Sequence, residues 1–403
     1  MAPTASARDI ARLRLVRHGL GPIDGTGHGA LIGPLEVAER LLAVQAQDFT
    51  AARWAIGVRV PGSSASDVHR AIDDARIVRS WPMRGTLHFV PATDLGWMLV
   101  LTAPRVLARM RTRRSQLGLD GAIVEVATGA ALSALSGGRQ LSRAGFLAAL
   151  EGAGLSTAGQ RGYHLIVHLA LTGTICWGRQ VGSQQLLVLL DDWVRAPRRL
   201  EREEALGEFV LRYFSGHGPA TLQDFAWWSQ LTVADAKVGL GVARGRLVEL
   251  EVDGITHYWA AAADTDDVGG PSKQRTPALA LPGFDEYLLG YRNRRFAVDD
   301  VDFPRVVPGK NGIFLPLVLV NGRVAGTWRR GSGRSGSPAY VITAFRRLTE
   351  RQRLGLDRAV QDFTRFLRPD GAPAAEPVEP SEHVEPPEHV EPPGPPSGRL
   401  ALP

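Results

Sequence analysis

The sequence predicts an α+β fold in which helix, tight turn, helix and strand recur along the chain, followed by a β-rich C-terminal region and an acidic, proline-rich tail. Three observations support this. Apolar residues recur at helical spacing in several stretches, glycines separate these from short apolar strands, and the composition changes sharply after residue 368. We divide the 403 residues into segments 1–125, 126–196, 197–262, 263–368 and 369–403.

The first segment contains a predicted helix and a predicted pair of strands. Residues 34–44 have apolar residues at helical spacing and acids near their start, which predicts an amphipathic helix ending near residues 45–48. Residues 77–90 alternate between apolar and polar and are interrupted by Pro82 and Gly85. This pattern indicates two short strands or a wing.

The next two segments repeat one order of elements. In the second, a helix with Ser142 as its N-cap is followed by a glycine turn, a helix over 159–171 and an apolar strand over 173–178. In the third, helical stretches at 201–213, 218–228 and 232–240 precede a strand at 247–252. This order is typical of winged helix-turn-helix units, so the sequence predicts three tandem winged-helix motifs, one in each of the first three segments.

The C-terminal part is predicted to be rich in strands. Strands are expected at 279–284, 313–319 and 323–329, and Asn321-Gly322 predicts a hairpin with its tip at 320–323. From residue 369 the chain is rich in Pro, Glu and Ala and contains EHVEPP twice, at 382–387 and 388–393. Such a composition cannot bury a core, so we expect a disordered tail.

Charge and cysteine content narrow the class of protein. The formal net charge is +6, but the tail carries seven acids and one arginine, so residues 1–368 are at +12. Arginine-rich positive charge suits phosphate contacts, although a high-GC genome also enriches arginine. A single cysteine, Cys176, excludes an internal disulfide. Without a signal peptide or a 20-residue apolar stretch, we expect a cytoplasmic protein that does not enter membranes.

Several motifs resemble those of the AlkZ/YcaQ-type DNA glycosylases, over about residues 8–365. The matching stretches are VQAQD at 44–48, RSWPMRGTLH at 79–88, HGPAT at 217–221 with DFAWWS at 224–229, LPGFDE at 281–286, NGIF at 311–314 and NGRVAGTWRR at 321–330. Ser229-Gln230-Leu231 departs from the Ser-Gly-Leu that the family pattern would have after its paired tryptophans.

The resemblance implies a fold, an activity and a catalytic pair. It implies three winged helices around a C-shaped DNA groove and hydrolysis of the N-glycosidic bond of alkylated or crosslinked purines, in repair or self-resistance. Its Gln-apolar-Gln signature falls on Gln45 and Gln47. No cofactor is implied, and we expect a nucleoid-associated monomer whose partner is damaged double-stranded DNA.

Two glutamines can serve this reaction because an alkylated purine already leaves as a charged base and needs no general acid. What remains is to hold a water near C1′ and stabilise a sugar with oxocarbenium character. Residues i and i+2 of a regular helix point to nearly opposite sides, so Gln45 and Gln47 converge only if the helix has ended or is distorted there. We expect Asp48 to cap a helix or join a salt bridge.

Other candidates have competing interpretations. Arg79 and Arg84 flank Trp81 and could stack on a displaced base, but we expect Trp81 and Met83 in the core and Arg84 against DNA. His88 and His217 are expected to be satisfied structural histidines. His164 and His168 have helical spacing without a third ligand, so no metal is predicted.

Further DNA contacts are predicted on three elements. Arg161 and His164 on the second helix of the second segment could contact phosphates, as could Arg292, Arg294 and Arg295; a solvated face is the alternative. The tip formed by Asn321, Gly322 and Arg323 could probe the minor groove, by analogy with a hairpin in the family. The alternatives to a glycosylase are a winged-helix regulator without enzymatic activity and a lesion-sensing protein that has lost activity.

Overall fold

The structure is a computed structural model that describes residues 6–21, 31–261, 278–310, 312–331 and 340–368. All of these residues belong to one unit, Met1–Asp370. The predicted acidic tail at 369–403 lies outside the described residues.

The described part of the chain contains sixteen α-helices and eleven strands. The helices are α1 Ala7–Arg17, α2 Pro34–Leu41, α3 Phe49–Gly57, α4 Ala65–Asp73, α5 Leu95–Arg109, α6 Arg111–Gln116, α7 Gly121–Leu135, α8 Arg143–Gly152, α9 Arg161–Leu171, α10 Leu190–Trp193, α11 Arg202–His217, α12 Leu222–Ser229, α13 Val233–Ala243, α14 Glu286–Leu289, α15 Phe303–Val306 and α16 Glu350–Leu367. The strands are β1 Val44–Gln45, β2 Ile77–Met83, β3 Thr86–Pro91, β4 Ile175–Val181, β5 Gln184–Leu189, β6 Leu247–Val252, β7 Ile255–Ala260, β8 Leu279–Leu281, β9 Leu317–Val320, β10 Arg323–Arg330 and β11 Tyr340–Ala344. None of these helices is both long and apolar enough to cross a membrane.

The first and second segments share one antiparallel sheet. Its strand order is β1-β3-β2-β4-β5, and β2 joins β4 where Arg79 pairs with Trp177. The division between residues 125 and 126 therefore separates elements that are hydrogen-bonded to each other. We keep it as a division of the element order and not as a border between independently folded parts.

The helix predicted over 34–44 begins as expected but ends early, at Leu41. Leu42 has a φ of 62° and leaves the helix, after which Val44 and Gln45 pair with Phe89 and His88 of β3. The apolar run 42–44 continues the helical pattern, but pairing with β3 overrides it. The two strands predicted within 77–90 are confirmed as β2 and β3.

The order of elements predicted for the next two segments is also present. Ser142 caps α8 by accepting the N–H of Gly145, and α9 and β4 follow it. In the third segment α11, α12 and α13 precede β6. That each of the three groups is a winged helix stays a prediction.

The C-terminal sheet has the order β11-β10-β9-β8. The predicted hairpin is confirmed: Asn321 and Gly322 join β9 to β10 with φ values of 52° and 76°. Describing this part only as strands missed α16. The spacing of its buried residues Leu356, Val360 and Phe363 and the capping box of Thr349 are present in the sequence.

Apolar side chains collect in two main cores. The larger one lies among α5, α7, α8, α9, α11 and the strands β2 to β5. The other joins α2, α3 and α4 to the C-terminal sheet and to Phe363 and Phe366 of α16. The segment that carries Gln45 and Gln47 has residues in both cores, which gives it rigid support.

Candidate active site

The two glutamines lie between α2 and α3 and not on a helix. Gln45 is the second residue of β1 and pairs with His88 of β3. Val44 and Ala46 are buried, whereas Gln45 and Gln47 are half-buried. Because α2 ends at Leu41, the geometry of a regular helix does not force the two side chains apart.

Each glutamine has a donor against its amide oxygen. Oε1 of Gln47 accepts the backbone N–H of Leu87 at 2.9 Å, and Oε1 of Gln45 lies 3.5 Å from Nη2 of Arg84. These donors define which end of each amide is the oxygen. Each oxygen has a second lone pair, and each amide nitrogen has two N–H groups. Both side chains can therefore accept from and donate to a water.

Arg79 holds the backbone of the glutamine segment. Its Nε donates to the carbonyl oxygen of Ala46 at 2.9 Å and its Nη2 to that of Gln47 at 3.3 Å, while Nη1 donates to Oε1 of Gln185 at 3.0 Å. Burial lowers the pKa of Arg79 to about 10, so it remains cationic at neutral pH. Arg79 is thus an internal anchor, because each of its three guanidinium nitrogens donates to an acceptor within the chain.

Arg84 lies among three side chains in the turn between β2 and β3. Its Nη2 donates to Nε2 of His88 at 3.0 Å and lies 3.6 Å from Oε1 of Glu286, in addition to its contact with Gln45. Its side chain is only 11% exposed. The expectation that Arg84 contacts DNA is therefore corrected: the guanidinium faces inward, beside the first glutamine.

His88 is a satisfied structural histidine, as predicted. Its Nδ1 lies 2.8 Å from the carbonyl oxygen of Thr86, which can only accept, and its Nε2 faces Arg84, which can only donate. The proton is therefore on Nδ1. Burial, and next the charge of Arg84, lower the pKa of His88 to about 3.

Glu286 is a fully buried carboxylate behind Arg84. Its Oε2 accepts the indole N–H of Trp228 at 2.8 Å and lies 3.5 Å from Nε2 of His217. Burial raises the pKa of Glu286, but contacts with His217, Arg84 and His88 outweigh burial and bring the pKa to about 2. Glu286 is therefore ionised at neutral pH.

The prediction for His217 is wrong in one respect. The residue is buried, but neither ring nitrogen has a hydrogen-bond partner of acceptable geometry within the described part of the chain. The ring instead stacks on Tyr213 at 4.7 Å. Trp81 and Met83 are core residues, as predicted, and Asp48 caps α3 by accepting the N–H of Ala51.

The pair predicted on α9 is turned toward the protein. Arg161 donates from Nε to the carbonyl oxygen of Ser156 at 3.0 Å and from Nη1 to that of Leu117, and His164 is 8% exposed. These phosphate contacts are therefore not available as the sequence suggested. Among the described residues, no three His, Cys, Asp or Glu side chains converge as a metal site would require.

Arg292, Arg294 and Arg295 line a cavity of about 680 Å³ together with Tyr258 and Phe303. Arg292 and Arg295 are exposed, although Arg295 pairs with Asp253 at 2.9 Å. The guanidinium of Arg294 lies over Trp227, Phe303 and Phe314, and burial lowers its pKa to about 10. The loop is held by the buried Asp224, whose Oδ1 accepts the backbone N–H groups of Arg292 and Asn293, both at 3.0 Å.

The hairpin tip is largely committed to contacts within the chain. Gly322 is buried, its carbonyl oxygen accepts the Tyr287 hydroxyl at 2.6 Å, and a Cβ there would lie 2.9 Å from Leu15 of α1. Arg323 forms an ion pair with Asp299. Of the three predicted tip contacts, only Asn321 has an exposed side chain.

One arginine cluster, which we call the α5–α6 arginine face, is not among the DNA contacts predicted from the sequence. The face lies next to the turn between β2 and β3 that carries Arg84. Gly85 follows Arg84 in this turn, and a Cβ on Gly85 would lie 3.8 Å from Val106 of α5. Residues 95–119 contain no acid, and this could have been noticed in the sequence. The face consists of Arg105, Arg109, Arg111, Arg113 and Arg114.

Within the described part of the chain, none of its arginines forms an ion pair with a carboxylate. Arg109 donates to Oε1 of Gln230 at 2.8 Å and Arg113 to Oε1 of Gln160 at 2.9 Å, and both of these acceptors are uncharged. Arg105, Arg109 and Arg111 are exposed. The face can therefore attract a polyanion.

Comparison with known proteins assigns the family. The family model described as DNA glycosylase AlkZ-like matches residues 38–366, which is most of the chain. The chain belongs to this family. This membership favours the glycosylase interpretation over a regulator without enzymatic activity.

Relatives of the AlkZ-like family agree with the assignment. The interstrand DNA cross-link repair glycosylase of Streptomyces sahachiroi is 26% identical over 344 residues, which cover 80% of this chain and 88% of that protein. The solved structure of the Streptomyces sahachiroi DNA glycosylase AlkZ has a TM-score of 0.73 at 24% identity, and the match covers 90% of this chain and 97% of that one. At this identity the structural likeness shows the fold alone.

The departure from the family pattern at Gln230 has a local explanation. Gln230 follows α12 with a φ of 60°, a left-handed conformation in which glycine is favoured. The side chain of Gln230 stabilises this turn by two hydrogen bonds: Nε2 donates to the carbonyl oxygen of Trp227 at 2.8 Å, and Oε1 accepts from Arg109. In this AlkZ-like chain the turn therefore connects α12 to the α5–α6 arginine face.

Proposed function

We propose that this AlkZ-like glycosylase hydrolyses the N-glycosidic bond of alkylated or crosslinked purines in duplex DNA, with Gln45 and Gln47 holding the attacking water. The observation that carries the proposal is that both glutamines lie beyond the end of α2, beside β3. Gln45 pairs with His88 of β3, and the side chain of Gln47 accepts the backbone N–H of Leu87. A water bound between two amides is held near its reactive position, which lowers the entropic part of the barrier.

The chemistry assigned to the pair is positioning and electrostatic stabilisation. A glutamine amide is too weak a base to deprotonate water, but its oxygen accepts from the water and its dipole stabilises a developing cation. The alkylated base leaves without prior protonation, because alkylation has given it a positive charge. Arg79 supports this arrangement by fixing the carbonyl groups of Ala46 and Gln47.

DNA contacts are proposed for the exposed members of the predicted set and for the α5–α6 arginine face. Arg292, Arg295 and Asn321 expose their side chains, whereas Arg84, Arg161, His164, Gly322 and Arg323 are engaged or buried within the chain. Arg294 we assign to shaping the cavity through its aromatic neighbours. Phosphate contacts position the duplex and carry no sequence information, which suits an enzyme that recognises lesions.

Crosslinks are proposed as substrates because of the relative from Streptomyces sahachiroi, whose name states interstrand cross-link repair. The cavity of about 680 Å³ lies beside Arg294 and could hold a nucleotide of this size class. Simple N7-alkylguanine is the other member of the proposed substrate class. We further propose that the protein acts as a monomer.

A strand-scission assay tests the proposal. Duplexes carrying one N7-alkylguanine or one N7–N7 interstrand crosslink are incubated with the parent, Gln45→Ala, Gln47→Ala and the control Gln361→Ala, then treated with heat and alkali. Gln361 is an exposed glutamine on α16, outside the proposed site. We expect abasic sites from the parent and the control and not from the two site variants. Binding without abasic sites on every lesion would overturn the proposal.

A further inference from the structure

The proposed reaction involves positive charge at two places. The alkylated base is cationic before the bond breaks, and the sugar gains oxocarbenium character as it breaks. Arg84 lies 3.5 Å from Oε1 of Gln45, so a guanidinium stands beside the group that is to hold the water. An uncompensated cation at that position would oppose both species.

Glu286 provides the compensating anion. Its Oε1 lies 3.6 Å from Nη2 of Arg84 and has no hydrogen-bond partner within the described residues, although it is buried. Gln45 and His88, which also contact Nη2, carry no charge. The carboxylate therefore faces the guanidinium mainly as a charge, while its second oxygen is bound to Trp228.

We propose that Glu286 is a positioning residue of the glycosylase reaction that acts through Arg84: it holds the guanidinium against Gln45 and cancels its charge where the cationic substrate lies. This inference rests on the proposed function of Gln45 and Gln47. It adds a carboxylate to a catalytic arrangement that otherwise consists of neutral amides.

The surrounding packing holds Arg84 and Glu286 in place. The side chain of Glu286 is 0% exposed and that of Arg84 is 11% exposed, so water screens their interaction little. Arg84 also has a φ of 60° in the β2–β3 turn, and its Nη2 is held by His88 at 3.0 Å. The guanidinium therefore has few alternative positions, and its effect on Gln45 depends on whether the carboxylate is charged.

Two abasic-site analogues separate this role from a purely structural one. A duplex with a pyrrolidine in place of the sugar carries a positive charge at the reacting position, and a duplex with a tetrahydrofuran has nearly the same shape without charge. Affinity for each is measured with the parent, Glu286→Gln, Arg84→Met and the double variant. Glu286→Gln keeps the shape of the side chain and removes the charge.

We expect the parent to prefer the pyrrolidine duplex. Glu286→Gln should lower the ratio of pyrrolidine to tetrahydrofuran affinity by about tenfold or more, because it leaves Arg84 uncompensated. Arg84→Met should raise the ratio, and the double variant should return it to within about threefold of the parent. If Glu286→Gln folds poorly, Arg84→Met still tests the inference, because it should change the affinity ratio in the opposite direction.

The results that would contradict this inference differ from the results that would contradict the proposed function. If Glu286→Gln weakens both analogues equally, or if Arg84→Met leaves the ratio unchanged, Glu286 is only structural and the inference is overturned, while the cleavage activity of the parent stands. If the parent releases no base from any lesion, the proposed function fails and this inference fails with it.

Discussion

Arg79 donates from Nε to the carbonyl oxygen of Ala46 at 2.9 Å, and so a cation of β2 holds the backbone between the two glutamines. The neighbouring guanidinium nitrogens bind the carbonyl oxygen of Gln47 and the side chain of Gln185. One arginine thus ties the glutamine segment to β5. The geometry of the site depends on a residue that is not expected to touch the substrate.

Arg79→Lys tests this anchor. Lysine keeps the charge but cannot reproduce the three-pronged fork, so at least one acceptor is left without its donor. We expect the free energy of unfolding in urea to fall by about 2–4 kcal/mol and base release to slow by about tenfold or more. Arg70→Lys is the matched control, because Arg70 is 67% exposed in a surface ion pair. Base release by Arg79→Lys at the parental rate would show that the anchor is dispensable for activity.

His88 makes stability depend on pH. The unfolded state binds a proton near pKa 6.5, but folded His88 binds one only near pKa 3, because burial and Arg84 oppose the charge. Between these values the unfolded state holds more protons, so stability falls as pH falls.

His88→Gln removes this proton uptake. Between about pH 7 and about pH 5 the parent should lose about 2 kcal/mol more stability than His88→Gln. His69 and His168, whose pKa values are lowered to about 4 chiefly by burial, leave part of the pH dependence in both proteins. Urea unfolding at each pH measures the difference. Equal losses in the parent and the variant would contradict the assignment of neutral His88.

The α5–α6 arginine face predicts a change in salt dependence. Replacing Arg105, Arg109 and Arg111 with serine should weaken duplex binding and lower the slope of log K against log salt concentration by about 0.9 for each phosphate that is no longer neutralised. The control replaces Arg351, Arg353 and Arg358, which are exposed on α16. Fluorescence anisotropy over a salt series measures both slopes. Equal slopes in the two triple variants would show that the α5–α6 arginine face does not contact DNA.

Much of the fold could be predicted from local pattern. The hairpin at Asn321-Gly322 and the helix cap at Ser142 depend on turn and capping chemistry carried by adjacent residues, and both are confirmed. The end of α2 could not be predicted in this way. Residues 42–44 fit a helix, and only the pairing of Val44 and Gln45 with β3, some 45 positions later, accounts for the early end of the helix.

The residues of the candidate site also differ in whether the sequence could predict them. Gln45 and Gln47 came from a motif that resembles a family, and the α5–α6 arginine face could have been found from its lack of acids. The contact of Arg84 with Glu286 could not be found, because the two residues lie about 200 positions apart and meet only through the packing of the β2–β3 turn against α14. For the same reason Arg84 was expected at the surface.

The central claim is that Gln45 and Gln47 hold one water together, and single-turnover base release from an N7-alkylguanine duplex tests it most directly. Gln45→Ala and Gln47→Ala should each slow base release by about a hundredfold. Because the effects of two groups that act as a unit are not additive, the rate of the double variant should lie within about threefold of the rate of the slower single variant. Multiplying effects in the double variant would show that the glutamines act independently. A parental rate in either single variant would contradict the claim outright.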